Sequence, residues 1–82
     1  MSTKLHVGNL NWYTTEADLT NLFNRVGLVL SASIPVDAKT GVPKRFGFVS
    51  MTEEGAQAAI QAFNGFVFQD LQLSVSRTDR GV

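Results

Sequence analysis

The chain has 82 residues, no cysteine, and seven basic against seven acidic side chains, so its formal net charge at pH 7 is zero. This length makes one small domain with a thin core of two layers, and the lack of thiols excludes a disulfide framework or a thiolate metal site to support it. Balanced charge excludes a domain that grips polyanions by bulk attraction alone, and with 44% hydrophobic residues stability must come from packing.

Met1 to Lys4 lead directly into apolar alternation, and no long apolar run follows. Neither a leader peptide nor a membrane span is expected, so the location expected is intracellular: cytoplasmic, or nuclear in a eukaryote. Lys4 to Gly8 alternates, with Leu5 and Val7 on one face and Lys4, His6 and Gly8 on the other, which reads as a half-buried strand. After a turn over Asn9 to Thr14, Thr15-Glu16-Ala17-Asp18 has the form of a capping box. Leu19, Leu22, Phe23 and Val26 then follow at helical spacing, with Gly27 as the stop.

From Val29 to Val36 the chain alternates again, Leu30, Ala32 and Ile34 opposing Ser31, Ser33 and Pro35. The proline marks an edge strand. Asp37 to Pro43 is a polar turn with Gly and Pro, long enough to join antiparallel strands and to stay mobile. Lys44 to Met51 is the next strand. Thr52-Glu53-Glu54 starts a second helix with Ala56, Ala59, Ile60 and Phe63 as its buried stripe and Asn64-Gly65 at its end. A short variable stretch, Phe66 to Leu71, leads to a last strand in which Leu73 and Val75 oppose Gln72, Ser74 and Ser76.

A weak internal repeat relates the helices. Displaced by 37 residues, Thr15-Glu16 falls on Thr52-Glu53, and Leu19, Leu22, Phe23 and Val26 fall on Ala56, Ala59, Ile60 and Phe63. Strand, helix, strand, twice over, predicts an α+β fold of ferredoxin-like βαββαβ order, a four-stranded antiparallel sheet with two helices on one face. The other face of the sheet is then open.

Strand parity identifies that face. One class collects Leu5, Val7, Leu30, Ala32, Ile34, Val49, Met51, Leu73 and Val75, which is the helix-covered core. The other collects Lys4, His6, Gly8, Ser31, Ser33, Lys44, Ser50, Gln72, Ser74 and Ser76, and Phe46 and Phe48 fall into this polar set. Burying it would strand Lys4, Lys44 and a row of serines in the core, at several kcal/mol for each unpaired charge. Exposed flat rings on a rigid sheet stack unpaired nucleobases, at roughly 1 to 3 kcal/mol per base. Lys4, Lys39, Lys44, Arg45 and Arg77 are expected on the open sheet, its hairpin or its edge, while Glu16, Asp18, Glu53 and Glu54 sit at helix starts. With few phosphate contacts, the salt dependence of binding should be shallow.

At this point the chain resembles the RNA recognition motif family over essentially its whole length. Lys44 to Met51 is similar to the family's octamer, and Leu5-His6-Val7-Gly8-Asn9-Leu10 to its hexamer on the first strand. The opening Lys-Leu-His-Val-Gly-Asn-Leu is similar to small single-motif bacterial RNA-binding proteins and to the glycine-rich RNA-binding group. The resemblance implies one motif over residues 1–82, with a core from about residue 4 to residue 77. It makes Phe46 and Phe48 two of three stacking aromatics, His6 the third in place of Phe or Tyr, and Lys44 a backbone contact. Arg45 stands where the octamer has Gly, and Met51, on the core parity, where it has an aromatic. The expected partner is single-stranded RNA, or single-stranded DNA, with no cofactor and no membrane. Lys4, Lys44, Arg45 and Arg77 would meet phosphates, and Ser31, Ser33, Ser74 and Ser76 would read base edges, in a post-transcriptional or ribonucleoprotein role.

Other signals are weaker. Trp12, in the loop after the first strand, is expected to pack against the first helix, with ligand contact as the alternative. Phe66, Val67, Phe68 and Leu71 are apolar for a connector, and beyond completing the core they offer a weak protein contact or a self-association surface. A protein-interaction domain of the same fold is therefore the alternative reading. Arg77, Thr78 and Arg80 either lie across bound RNA or fray. One His, no Cys and no facing carboxylate pair give no nucleophile and base constellation, and the arginine-bearing phosphate loop of an acylphosphatase is absent from Asn9-Leu10-Asn11-Trp12. A binding module is expected, not an enzyme.

Overall fold

The computed structural model describes residues 2–78. In chain order the elements are β1 (Ser2–Gly8), α1 (Glu16–Phe23), β2 (Val29–Ser33), β3 (Phe46–Thr52), α2 (Glu53–Phe63), β4 (Val67–Phe68), β5 (Leu71–Gln72) and β6 (Ser74–Arg77). β2, β3, β1 and β6 lie in that order in one sheet whose pairs are all antiparallel. This is the ferredoxin-like βαββαβ fold, with β4 and β5 forming a separate small hairpin ahead of the last strand.

Local chemistry accounts for both helix starts. The Thr15 hydroxyl accepts from the Asp18 N–H at 3.1 Å, and the Thr15 N–H donates to the Asp18 carboxylate at 3.1 Å, so both halves of the capping box form. Thr52 caps α2 by accepting from the Gly55 N–H at 3.3 Å. Leu5, Val7, Val49, Met51, Leu73 and Val75 from the sheet close on Leu19, Leu22 and Phe23 of α1 and on Ala56, Ala59 and Phe63 of α2. The Phe23 and Phe63 rings meet with centroids 5.0 Å apart. The alanines of α2 keep that helix close to the sheet.

β1 begins at Ser2 instead of Lys4, and the last strand begins at Ser74, with Gln72 drawn into the separate β4–β5 hairpin by its pairing with Val67. Four further boundaries differ from the sequence reading, each for a local reason. Helix α1 ends at Phe23 with Asn24 as its cap, and the N–H groups of Arg25 and Val26 turn back to the carbonyls of Leu22 and Phe23 at 3.2 and 3.1 Å. Gly27 is therefore not the stop, and it lies outside the left-handed backbone region. It is small because a Cβ there would stand 2.7 Å from the Gly55 Cα, where the chain leaving α1 crosses the first turn of α2.

In β2 the ladder slips between Val29, which faces Met51, and Ser31, which faces Ser50. Leu30 is the inserted residue of a bulge and is 51% exposed, so it leaves the core set and Val29 takes its place. Because pairing resumes at Ser31, both Ser31 and Ser33 stay in register with the open face. β2 stops at Ser33, and beyond it Val36 and Pro43 form only an isolated bridge. β3 begins at Phe46, two residues later than expected, so Lys44 and Arg45 belong to the approach to the strand.

Candidate nucleic-acid interface

Antiparallel register sets out the open face row by row. In the middle row, Ser33 of β2 faces Phe48 of β3, Phe48 faces His6 of β1, and His6 faces Ser76 of β6. One row toward the amino end of β1, Ser31, Ser50 and Lys4 are partners in the same way. One row the other way, Phe46 and Ser74 flank Gly8.

His6, Phe46 and Phe48 make one cluster on this surface. The His6 ring lies 5.4 Å from Phe46 at an interplanar angle of 23°, and edge-on to Phe48 at 5.7 Å and 70°. Phe46 and Phe48 meet edge-on at 5.8 Å. All three are half-buried, held from beneath and open above, while Ser31, Ser33, Ser74 and Ser76 around them are exposed. Lys4 brings its ammonium over the Phe48 ring at 5.2 Å from the centroid.

The cations divide between the two sides of the sheet. Lys4, Lys39, Lys44 and Arg45 are exposed, and among the described residues the one ion pair belongs to Arg77 and Glu53. Main-chain bonds fix the approach to β3: the Lys44 N–H donates to the Pro35 carbonyl and the Leu10 N–H to the Arg45 carbonyl, each at 2.8 Å. The Asp37 carboxylate organises the β2–β3 hairpin by accepting from the N–H groups of Lys39 and Thr40 at 2.8 and 3.2 Å.

Arg77 is placed differently from the expectation. It faces Leu5 across the β1–β6 ladder, on the parity of the core, and its guanidinium pairs with Glu53 at the start of α2. Glu53 also accepts from the Thr3 hydroxyl, and these two donors, Thr3 foremost, hold its carboxyl below the ordinary value. Arg77 thus ties β6 to α2 behind the sheet. Arg80 lies outside the described residues.

Trp12 departs from the expectation more sharply, being 67% exposed instead of packed on α1. Its ring meets Tyr13, itself 44% exposed, edge-on at 5.5 Å. The loop carrying them is anchored at both ends. Asn11 donates from its side chain to the Gln69 carbonyl at 2.8 Å and accepts from the Trp12 N–H at 2.8 Å, and the Thr14 hydroxyl bonds the Gln69 side chain. Gln69 in turn donates to Asp18 at 3.1 Å. Asp18 is held below its ordinary value first by the Thr15 N–H and then by Gln69. No periodic signal marks Trp12, since a lone ring in a loop has no partner at helical or strand spacing.

Comparison with known proteins bears on the family and the fold. The family model described as RNA recognition motif matches residues 5–74. The chain is 46% identical over 66 residues to the mitochondrial glycine-rich RNA-binding protein 2 of Arabidopsis thaliana, covering 79% of this chain and 42% of that protein, so it spans less than half of that relative's length. Among solved structures, RNA binding protein PG1 superposes with a TM-score of 0.89 at 39% identity, covering 93% of each chain. The Sex-lethal protein in complex with RNA gives 0.88 at 32% identity, covering all of this chain and 50% of that one. The chain belongs to the RNA recognition motif family.

Proposed function

We propose that this chain binds single-stranded RNA on the open face of its sheet. His6, Phe46 and Phe48 stack two or three bases. Lys4, Lys44 and Arg45 meet phosphates, and Ser31, Ser33, Ser74 and Ser76 read base edges together with nearby main chain. One observation carries the reading: three contiguous rings sit open on the face of the sheet opposite its helices. Membership of the family supports it, as does the likeness to a protein solved with RNA. Arg77, paired with Glu53 on the far side, has no part in the site.

The domain is a binding module with a core of about residues 4–77 and no chemistry of its own. Two or three stacks and a few ion contacts, less the cost of ordering a flexible strand, give an affinity on the order of micromolar. Single-stranded DNA binds the same rings, and the serines discriminate through the 2′-hydroxyl. The setting is intracellular, in keeping with relatives named as mitochondrial and chloroplastic; among the described residues no helix is long and apolar enough to cross a membrane. Val67, 61% exposed at the start of β4 beside Phe66, where it pairs with Gln72, provides a second and weaker contact for protein.

The test is an NMR titration of the labelled domain with a randomised RNA hexamer pool. Amide shifts centred on His6, Phe46, Phe48 and Ser74 to Ser76, abolished in Phe46→Ala or Phe48→Ala, are expected. An unchanged spectrum at high micromolar RNA refutes the proposal and turns the search to a protein partner.

A further inference from the structure

The RNA site described above ends, on the sheet, at Phe46 and Gly8. β1 does not end there as a chain: the Leu10 N–H bonds the Arg45 carbonyl at 2.8 Å, so the segment leading to Trp12 still runs beside the approach to β3. Trp12 and Tyr13 therefore emerge at the end of the sheet that carries Phe46, Arg45, Lys44 and the β2–β3 hairpin with Lys39. A shallow groove of about 260 Å³ separates the end of this loop and the start of α1, at Thr14, Thr15 and Glu16, from Ile34, Val36 and Pro43 beside the hairpin.

Leaving an indole two-thirds exposed forgoes a large hydrophobic gain, and nothing in the fold requires it. The loop is also not slack. Asn11 and Thr14 fasten it to Gln69, and Gln69 itself sits in a hairpin turn with φ of +52°, followed by Asp70 at +72°. A fixed, exposed aromatic pair that follows the Leu10–Arg45 main-chain bond, at the end of the sheet where Lys44 and Arg45 are exposed, offers what the sheet cluster offers: flat π surface for a base, with positive charge at the same end of the sheet for phosphate.

We infer that the Trp12–Tyr13 pair is an additional base-stacking site that carries the RNA track off the sheet past Phe46 and lengthens the bound strand by one nucleotide. This rests on the reading that the sheet binds single-stranded RNA. It also assigns a role to Gln69, which acts as a positioning residue by holding the loop from the β4–β5 hairpin.

Trp12 is the sole tryptophan of the chain, so its emission reports the site directly. Wild type, Trp12→Ala, Trp12→Phe and Phe48→Ala are titrated with a mixed-sequence RNA trimer and octamer, following anisotropy of labelled RNA and, in wild type, tryptophan emission. Trp12 is exposed, so folding is not at stake. The octamer should quench Trp12 emission and the trimer should not. Trp12→Ala should lose on the order of tenfold in octamer affinity, with trimer affinity unchanged and Trp12→Phe largely restoring the octamer, while Phe48→Ala weakens both lengths. Octamer that binds in a Phe48-dependent way, with Trp12 emission constant and Trp12→Ala at wild-type affinity, overturns the inference and leaves the sheet site standing. No binding of either length by wild type overturns both. An emission change on raising protein concentration without RNA, with none on adding RNA, gives the pair to a second copy of the chain instead.

Discussion

Lys4 holds its ammonium 5.2 Å from the centroid of the Phe48 ring, on the open face of the sheet. A base arriving at Phe48 competes with that ammonium for the ring, and the displaced charge has the phosphate of the same nucleotide as its nearest new partner. Lys4→Gln should therefore weaken RNA binding several-fold across sequences and lower the slope of log affinity against log salt by about 0.7, one ion released from a single strand. The check is a set of dissociation constants measured over a range of salt. An unchanged slope means that Lys4 meets no phosphate.

His6 lies near-parallel to Phe46 at 5.4 Å and carries the smallest ring of the cluster. Replacing it by a larger apolar ring extends the stacking surface without disturbing the core, since the side chain is only half-buried. His6→Phe should tighten RNA binding by roughly threefold, and His6→Ala should weaken it by roughly tenfold. Both variants should keep the wild-type unfolding midpoint. Weaker binding by His6→Phe would mean that the imidazole donates a hydrogen bond that matters more than ring area.

Alternation along the strands made the open face legible, because Phe46 and Phe48 share parity with Lys4 and the serines and could not be buried without them. The capping box at Thr15 and Asp18 was equally legible, being a local pattern with a local cause. What escaped was anything that breaks a period. Val29 and Leu30 are both apolar, so alternation alone does not say which one the bulge expels. The β4–β5 turn places Gln69 and Asp70 at positive φ without the Asn-Gly or Asp-Gly pair that usually marks such a turn. Arg77 is the reverse case: two residues beyond Val75, its parity points to the core side, where it pairs with Glu53, while its charge placed it among the expected phosphate contacts.

Arg77 and Arg45 now make a matched pair of controls. Arg77 is occupied by Glu53 behind the sheet, whereas Arg45 is exposed at the end of the sheet nearest Phe46. Arg45→Ala should weaken RNA binding and flatten its salt dependence. Arg77→Ala should leave both unchanged while lowering the unfolding midpoint slightly. A flatter salt slope in Arg77→Ala would return that guanidinium to the RNA side.

Gly27 and Gly55 touch backbone to backbone. A Cβ on Gly27 would stand 2.7 Å from the Gly55 Cα, too close for anything but a shift of α2 against the α1–β2 connection. Gly27→Ala should therefore destabilise the fold by about 1 to 3 kcal/mol, the usual cost of overpacking. Gly55→Ala should cost less, because its added Cβ meets the Thr52 hydroxyl, the Met51 methyl and the Gly27 Cα at 3.1, 3.2 and 3.3 Å, and alanine favours the helix. Urea unfolding of the two variants decides, and equal midpoints would show that the contact yields freely.

Two carboxylates link stability to pH, and both act in the same direction. The Thr15 N–H, assisted by the Gln69 side chain, holds Asp18 below its ordinary value, and the Thr3 hydroxyl, assisted by Arg77, does the same for Glu53. Between the lowered folded values and the ordinary unfolded ones the unfolded chain binds more protons, so stability rises with pH across that interval. The contribution is complete above the unfolded values, near pH 4 to 4.5, and is lost as pH falls through the folded ones. Asp18→Asn combined with Glu53→Gln should be less stable than wild type at pH 6 and should lose less on acidification, so the two stability curves converge toward low pH. Urea midpoints measured between about pH 2.5 and 6 test this. Parallel curves would show that neither carboxylate is held by its donors in solution, and with that the anchoring of the Trp12 loop through Gln69 and Asp18 would lose its support.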